Sequence, residues 1–354
     1  MPLPTEPIGS IPRPLYLLEG MEAFGAGEIT KAQLDELYDA AVRDTLEQFE
    51  ATGSPIVSDG EQRKPSFATY PLAGLDTLAP DGVPITFADG HVRQLPVITA
   101  GPFRYGTHAD AYLELAQPLT TKPLKQAVIS ASALSLLYPA GGIDGYSREA
   151  FLDDLVDEAE RDIRQCLVRG AESVQVDFTE GRLAVKLDPS KGLLADFIAL
   201  NNRVLERFDA SERARIGVHT CPGGDQDSTH SADVDYVELL PLLFTLQAGR
   251  FYIQLASEAD RPRVLAGIAE HSGDDQRIFV GVVDPIDPAI ETAEQVRDRV
   301  LEAAEHIPVG RLGTTDDCGF SPFGDDTSTA RETAFAKIGA RVAGTALAAE
   351  ALGV

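Results

Sequence analysis

An α/β fold, a single (β/α)8 TIM barrel occupying residues 1–354, is predicted by three features of the sequence. Short β-rich apolar stretches recur along the chain and end in polar or glycine residues. Amphipathic stretches with three- and four-residue apolar spacing follow them. The 354-residue length holds eight such units and leaves no room for a second large domain.

The strand-like stretches are PIGSIPRP (7–14), SPIVSDGEQRK (54–64), KQAVISASA (125–133) and SVQVDFTEG (173–181). RIGVHTCPGG (215–224), RFYIQLASE (250–258), RIFVGVVDP (277–285) and RLGTTDDCGF (311–320) complete the series. Alternation with helix patterns implies parallel βαβ units. Those patterns cover 148–171, 191–208, 234–249, 292–307 and 330–352, the third with Asp233 as its expected cap. Residues 76–106 break the rhythm. Their Ala-Asp-Gly turn between alternating runs predicts a β-hairpin excursion off the barrel.

Composition narrows the class. Hydrophobic residues make up 44% and charged residues 24%, the proportions of a globular protein. No apolar run is long enough for a membrane span. The N-terminus MPLPTEPIGS lacks the basic and apolar regions of a secretory signal, so a cytoplasmic protein is expected. With 30 basic against 56 acidic side chains the net charge is −26, which repels phosphates and argues against nucleic acid. Three cysteines, Cys166, Cys221 and Cys318, are too few for a disulfide framework. The oligomeric state is not readable.

Chemistry in such barrels sits at the C-terminal strand ends. Read in order these are Ser10, Glu61, Asp177, His219 with Cys221, Glu258, Asp284 and Cys318. His219 and Cys221, two apart on a strand, point the same way, and Cys318 comes round from the last strand. Thiolate and imidazole together suit Zn2+. The alternative is two buried thiols and a satisfied core histidine. The flanks HTCPGG and TTDDCGFSP, rich in glycine, proline and aspartate, read as loop entries rather than core filler. Cys166 falls inside a helix pattern as a core residue, and His230 orders a loop or stands in as a ligand. Asp316, Asp317, Asp325 and Asp326 are either solvated or hydrogen-bonded to the site. The stretch 224–236 reads as an active-site loop that covers the site or binds the donor.

IGSIPRP, SDGEQRK, VQVD, the HTC after a strand and RLGTTDDCGF together resemble the catalytic C-terminal barrel of the cobalamin-independent methionine synthase family and its short single-barrel relatives. The resemblance implies a zinc ion held by His219, Cys221 and Cys318, which activates homocysteine as a thiolate. Ile8, Gly9 and Ser10 would contact the amino acid through the backbone, and Glu61 and Asp177 its ammonium group. Three positions depart from the family pattern. The family's zinc glutamate has Ala256 nearest its place, with Glu258 close but out of register, so the fourth ligand is Glu258, water or substrate. Ile286 replaces a proton-carrying histidine, and Phe178-Thr179 replaces Glu-Pro on the folate side.

The leading expectation is therefore a zinc-dependent thiol S-alkyltransferase. Its partners are a small-molecule thiol, homocysteine first, and an alkyl donor delivered as methylfolate or by a methyl-carrier protein. The alternative within the same resemblance is epoxide opening by the thiolate of coenzyme M. That sulfonate needs cations, for which Arg13, Arg63, Lys64 and Arg182 are available near the rim. A metal-free decarboxylase-type barrel is the further alternative, and it has no use for His219, Cys221 and Cys318 together.

Overall fold

A computed structural model describes residues 3–354. Six strands form one parallel sheet in the order of the chain: β1 (Lys125–Ile129), β2 (Ser173–Asp177), β3 (Ile216–Thr220), β4 (Arg250–Ile253), β5 (Arg277–Gly281) and β6 (Leu312–Thr315). Almost every residue in them is buried, as expected for strands covered on both faces. The fold is thus mixed α/β around a parallel six-stranded sheet, consistent with a TIM-barrel-like architecture.

The two earliest strand-like stretches behave differently from expectation, supplying single β-bridges instead of ladders. Thr5, just ahead of the first stretch, bridges Thr314 beside β6, and Val57 in the second bridges Leu124 beside β1. Pro4 just ahead of the first stretch, Pro7, Pro12 and Pro14 within it, and Pro55 in the second have no N–H to donate to a ladder. Isolated bonds replace it: Ile11 N–H donates to Gly60 O at 3.1 Å, and Ser58 Oγ donates to Gly9 O at 2.9 Å.

Long helices cover the outside of the sheet. Arg148–Arg169 starts on a Ser147 cap and stops at Gly170, whose φ of +96° closes the last turn. Gly192–Leu205, Ala293–Ala304 and Arg331–Leu352 fall within their patterns. The stretch 234–249 does not become one helix. Pro241 interrupts it, leaving a 3-10 turn at Tyr236–Glu238 and a short helix at Leu240–Leu243. Asp235 caps that turn, whereas the expected cap Asp233 pairs with Lys186 at 2.9 Å. Between the second stretch and β1, Pro84–Thr86 pairs antiparallel with Val92–Gln94, and Leu78–Ala79 with Val97–Ile98. No helix among the described residues is long and apolar enough to cross a membrane.

At the N-terminal end of the sheet lies a buried ion cluster. Glu6, 1% exposed, accepts from Arg250 at 2.7 Å, Tyr252 at 2.6 Å and Ser173 at 3.1 Å. Lys125 Nζ lies 3.7 Å from Glu6, donates to Pro7 O at 2.7 Å and sits 3.4 Å from the centre of the Tyr252 ring. Burial pushes the Glu6 carboxyl up, but Lys125 and Arg250 outweigh it and hold the group below its ordinary range. Glu6→Ala strands the buried Lys125 and the partly buried Arg250 and is expected to cost about 3–5 kcal/mol, read as a lower urea midpoint at neutral pH. A depressed folded-state value makes this contribution complete above the ordinary carboxylate range and lost below it. The gap between native and variant should therefore narrow below about pH 4; a gap that stays constant would rule the ion cluster out as its source.

Candidate active site and metal centre

Period-two alternation sets the site on two neighbouring strands. Asp177 ends β2 and lies in register with His219 on β3, and Gln175 shares the Asp177 face. Beyond β3 the chain continues to Cys221, and beyond β6 to Cys318. One ligand atom from each of His219, Cys221 and Cys318 lies within 4.8 Å of the others, and the two sulfurs are 3.1 Å apart. The ligation-capable triplet expected from the sequence is brought together.

The surroundings favour a cation among these three side chains. His219 is 1% exposed, yet neither ring nitrogen has a hydrogen-bond partner, which a satisfied core histidine would have. A buried polar atom left so costs about 1–3 kcal/mol. Contact with Cys221, together with burial, pushes the Cys318 thiol well above the usual range, while His219 acts the other way. A divalent ion would supply the missing partner for imidazole and separate the two sulfurs as thiolates. One imidazole and two thiolates are a donor set of zinc type. Glu258 does not join them. Its Oε1 accepts from the buried Arg182 at 2.6 Å, beside Asp317, which accepts from the amides of Leu255, Ala256 and Ser257. His230 also stays apart, its Nδ1 against Ser231 Oγ at 2.7 Å.

Two chambers meet at this group. The smaller, about 30 Å3, is lined by Ile8, Ser10, Glu61, Asp177, His219 and Cys318, with Phe67 and Gln175 beside them. The larger, about 310 Å3, shares Gly224, Cys318, Gly319 and Pro322 with it. Gly319 keeps the seam narrow, because a Cβ there would lie 2.0 Å from Ser10 Oγ. Burial pushes the Asp177 carboxyl up to about 6, His219 opposing and Glu61 adding to the rise. Glu61 adopts φ +56°, rare for a residue with a side chain. Backbone bonds hold it there: its N–H donates to Asp59 at 2.9 Å, and its carbonyl accepts from Arg13 at 2.9 Å.

The expected cations are engaged elsewhere, and none of them lines either chamber. Arg13 donates to the carbonyls of Glu61, Lys64 and Phe323. Arg63 turns outward to Asp35 and Asp39. Lys64 reaches Glu61 Oε1 and Ala127 O, each at 2.8 Å. Arg182 is tied to Glu258 and to the carbonyls of Ala232 and Val234. Gly9, at φ +143°, turns its carbonyl to Ser58, and Ile8 O accepts from Gln175 at 3.1 Å. Gln175 was not singled out in the sequence, although its place two residues before Asp177 on a strand signals a shared face. It donates to Asp177 at 2.7 Å, and its own Oε1 has no partner.

Residues 3–337 match the family model described as the catalytic domain of cobalamin-independent synthase. The chain belongs to that family. It is 21% identical over 352 residues to a methionine synthase of Saccharolobus solfataricus, spanning 99% of this chain and 96% of that protein. Identity to a methionine synthase of Sulfurisphaera tokodaii is 24% over 355 residues, covering 99% and 94%. It is 25% over 326 residues to a 5-methyltetrahydropteroyltriglutamate–homocysteine methyltransferase of Nitratidesulfovibrio vulgaris; the match takes in 90% of this chain but 38% of that longer protein. A B12-independent methionine synthase of Shewanella sp. W3-18-1, solved with selenomethionine, superposes with TM-score 0.78 at 20% identity, covering 99% of both chains. A putative vitamin-B12-independent methionine synthase of Listeria monocytogenes gives TM-score 0.73 at 22% identity, covering 97% of both. These two likenesses establish a shared fold.

The loop that carries Cys221 depends on Gly223, at φ +70° with a Cβ position 1.8 Å from His230 Nε2. Gly223→Ala is expected to destabilise the protein by about 1–3 kcal/mol. Thermal unfolding checks this, and an unchanged midpoint would show that the loop has another packing.

Proposed function

We propose that this chain is a zinc-dependent methyltransferase whose acceptor is the thiol of homocysteine. The single observation that carries the proposal is the buried His219, with both ring nitrogens unpartnered, beside two thiols at the junction of two chambers. We take residues 3–354 as one catalytic unit, its barrel closing through the bridged stretches around Thr5 and Val57 and its hairpin standing off the barrel.

His219, Cys221 and Cys318 would hold the ion and leave its fourth position to the acceptor sulfur. Bound there, zinc supplies the Lewis acidity that keeps a thiol deprotonated and still nucleophilic at neutral pH. The protein's own residues place the rest of the acceptor. Glu61 and Asp177 face the small chamber and suit an ammonium group. Ile8 and Ser10 form its wall, and Gln175 offers Oε1 as a further acceptor. Ser10 and Gly319 hold the seam at which sulfur and donor meet, so the reaction's gain comes from positioning two partners in line.

The coenzyme M reading lacks what it needs. A sulfonate requires cations, and Arg13, Arg63, Lys64 and Arg182 all point to other partners. A metal-free decarboxylase leaves the unpartnered imidazole unexplained.

Zinc-edge X-ray absorption of the purified protein should show sulfur neighbours at about 2.3 Å. One more should appear with L-homocysteine and none with coenzyme M; the reverse pattern would transfer the proposal to the sulfonate thiol. Cys221→Ser and Cys318→Ser are expected to lose most bound zinc by elemental analysis. Glu61→Gln and Asp177→Asn should keep the metal and weaken homocysteine binding roughly ten- to a hundredfold, the worth of a charge-assisted hydrogen bond. Unchanged binding would remove the ammonium role.

A further inference from the structure

The larger chamber points to the chemical class of the methyl donor, on the reading of this site as a thiol methyltransferase. Six carboxylates line it, from Asp225, Asp227, Glu258, Asp284, Asp317 and Asp326, and no lysine, arginine or histidine does so among the described residues. Two of the six are neutralised from behind. Arg93 meets Asp225, and Arg182 meets Glu258. Asp227, Asp284, Asp317 and Asp326 enter no ion pair among the described residues. Their hydrogen bonds come from neutral donors: Asp317 from amides 255–257, Asp326 from Ser328 and Gln226, and Asp284 from the Ile286 amide. They do not form a metal cage, since among the described residues the one set of three ligand atoms within 4.8 Å is the His219 group. Their effect is a negative field across a cavity that also has apolar walls from Pro285, Ile286 and Phe320.

We propose that the donor is a small onium compound, a methylated sulfonium or quaternary ammonium, seated in this chamber with its methyl group toward the Cys318 wall. Such cations are weakly hydrated and carry diffuse charge, so they fit apolar walls within a carboxylate field. Burial pushes the Asp284 and Asp326 carboxyls up, and a cation beside them would offset that cost. The bonding also balances without a proton. A lone pair of the acceptor thiolate forms the new S–CH3 bond. The old bond from methyl to onium centre breaks with its electron pair remaining on the leaving atom, which departs as a neutral thioether or tertiary amine. A neutral N-methyl amine would instead have to take a proton from one of the chamber's carboxyl groups as it leaves, a step that an onium donor does not need. A donor with a glutamate tail, as in the name of the Nitratidesulfovibrio vulgaris relative, would bring further carboxylates into a chamber without cations.

The test is calorimetric titration of the full-length zinc-loaded protein, without thiol, using S-methyl-L-methionine, S-adenosyl-L-methionine, choline and 5-methyltetrahydropteroyltriglutamate. At least one onium compound should bind, more weakly at high salt, and the triglutamate should not. The sulfonium and choline arms separate the two onium sources. Asp284→Asn and Asp227→Asn should each weaken that binding about three- to tenfold while homocysteine still adds a sulfur to the zinc shell. With homocysteine present, a CD3 label on the onium compound should appear in methionine. Triglutamate binding with no onium binding, or no donor binding at all, would overturn the proposal while leaving thiol activation standing. Loss of the homocysteine signal at zinc would overturn the function reading instead.

Discussion

A single buried anion holds the N-terminal end of this structure together. Glu6 comes from a proline-rich stretch that cannot form a ladder, yet its carboxylate meets Ser173 of β2 and Arg250 and Tyr252 of β4, with Lys125 of β1 alongside. One such group replaces much of what missing backbone bonds would have provided. Desolvation is the standing cost, so the cluster stabilises only while complete. From this anchor the first stretch runs upward to Ile8 and Ser10, and the small chamber inherits its wall from it.

The C-terminal ends of the strands carry the opposite arrangement. There, polar groups are buried without complete pairing: both nitrogens of His219 and the side-chain oxygen of Gln175. The contrast separates a part of the fold that is electrostatically finished from a part that is finished by what binds. Asp317 belongs to the finished set although it lines the donor chamber, because three amides and a serine hydroxyl fix the loop after β4 around it.

Much of this was legible in the sequence because strands have a period of two. His219 and Cys221 share a face by spacing alone, and the position of Cys318 follows from the end of the last strand-like stretch. The recurring β-rich stretches exposed the six strands, and apolar spacing of three and four residues exposed the long helices. Where the backbone leaves regular structure, spacing loses its meaning. Glu61 lies in a left-handed turn, and nothing in SDGEQRK says that Lys64 folds back onto it while Arg63 points away. Long cationic side chains near a rim are free to choose a partner, and here they chose carbonyls and carboxylates of the protein itself, among them Glu61 and Glu258 of the chamber walls. Glu258 was close to the metal group in sequence register, but the buried Arg182 takes its carboxylate. The prolines of the first two stretches were visible, and their consequence, bridges in place of ladders, is ordinary backbone chemistry.

The register of β2 against β3 sets Asp177 directly across from His219. Neighbouring parallel strands keep a separation of about 4.8 Å, fixed by backbone hydrogen bonds and independent of side-chain choice. On the proposed reading, the amine of the acceptor is held from one strand and its sulfur from the next. The sheet then acts as a ruler with a division that mutation of either side chain leaves in place. An amino thiol one methylene shorter can satisfy one mark or the other, but not both. Selection by length would be a property of the backbone, and would persist through drift in the residues that line the chamber.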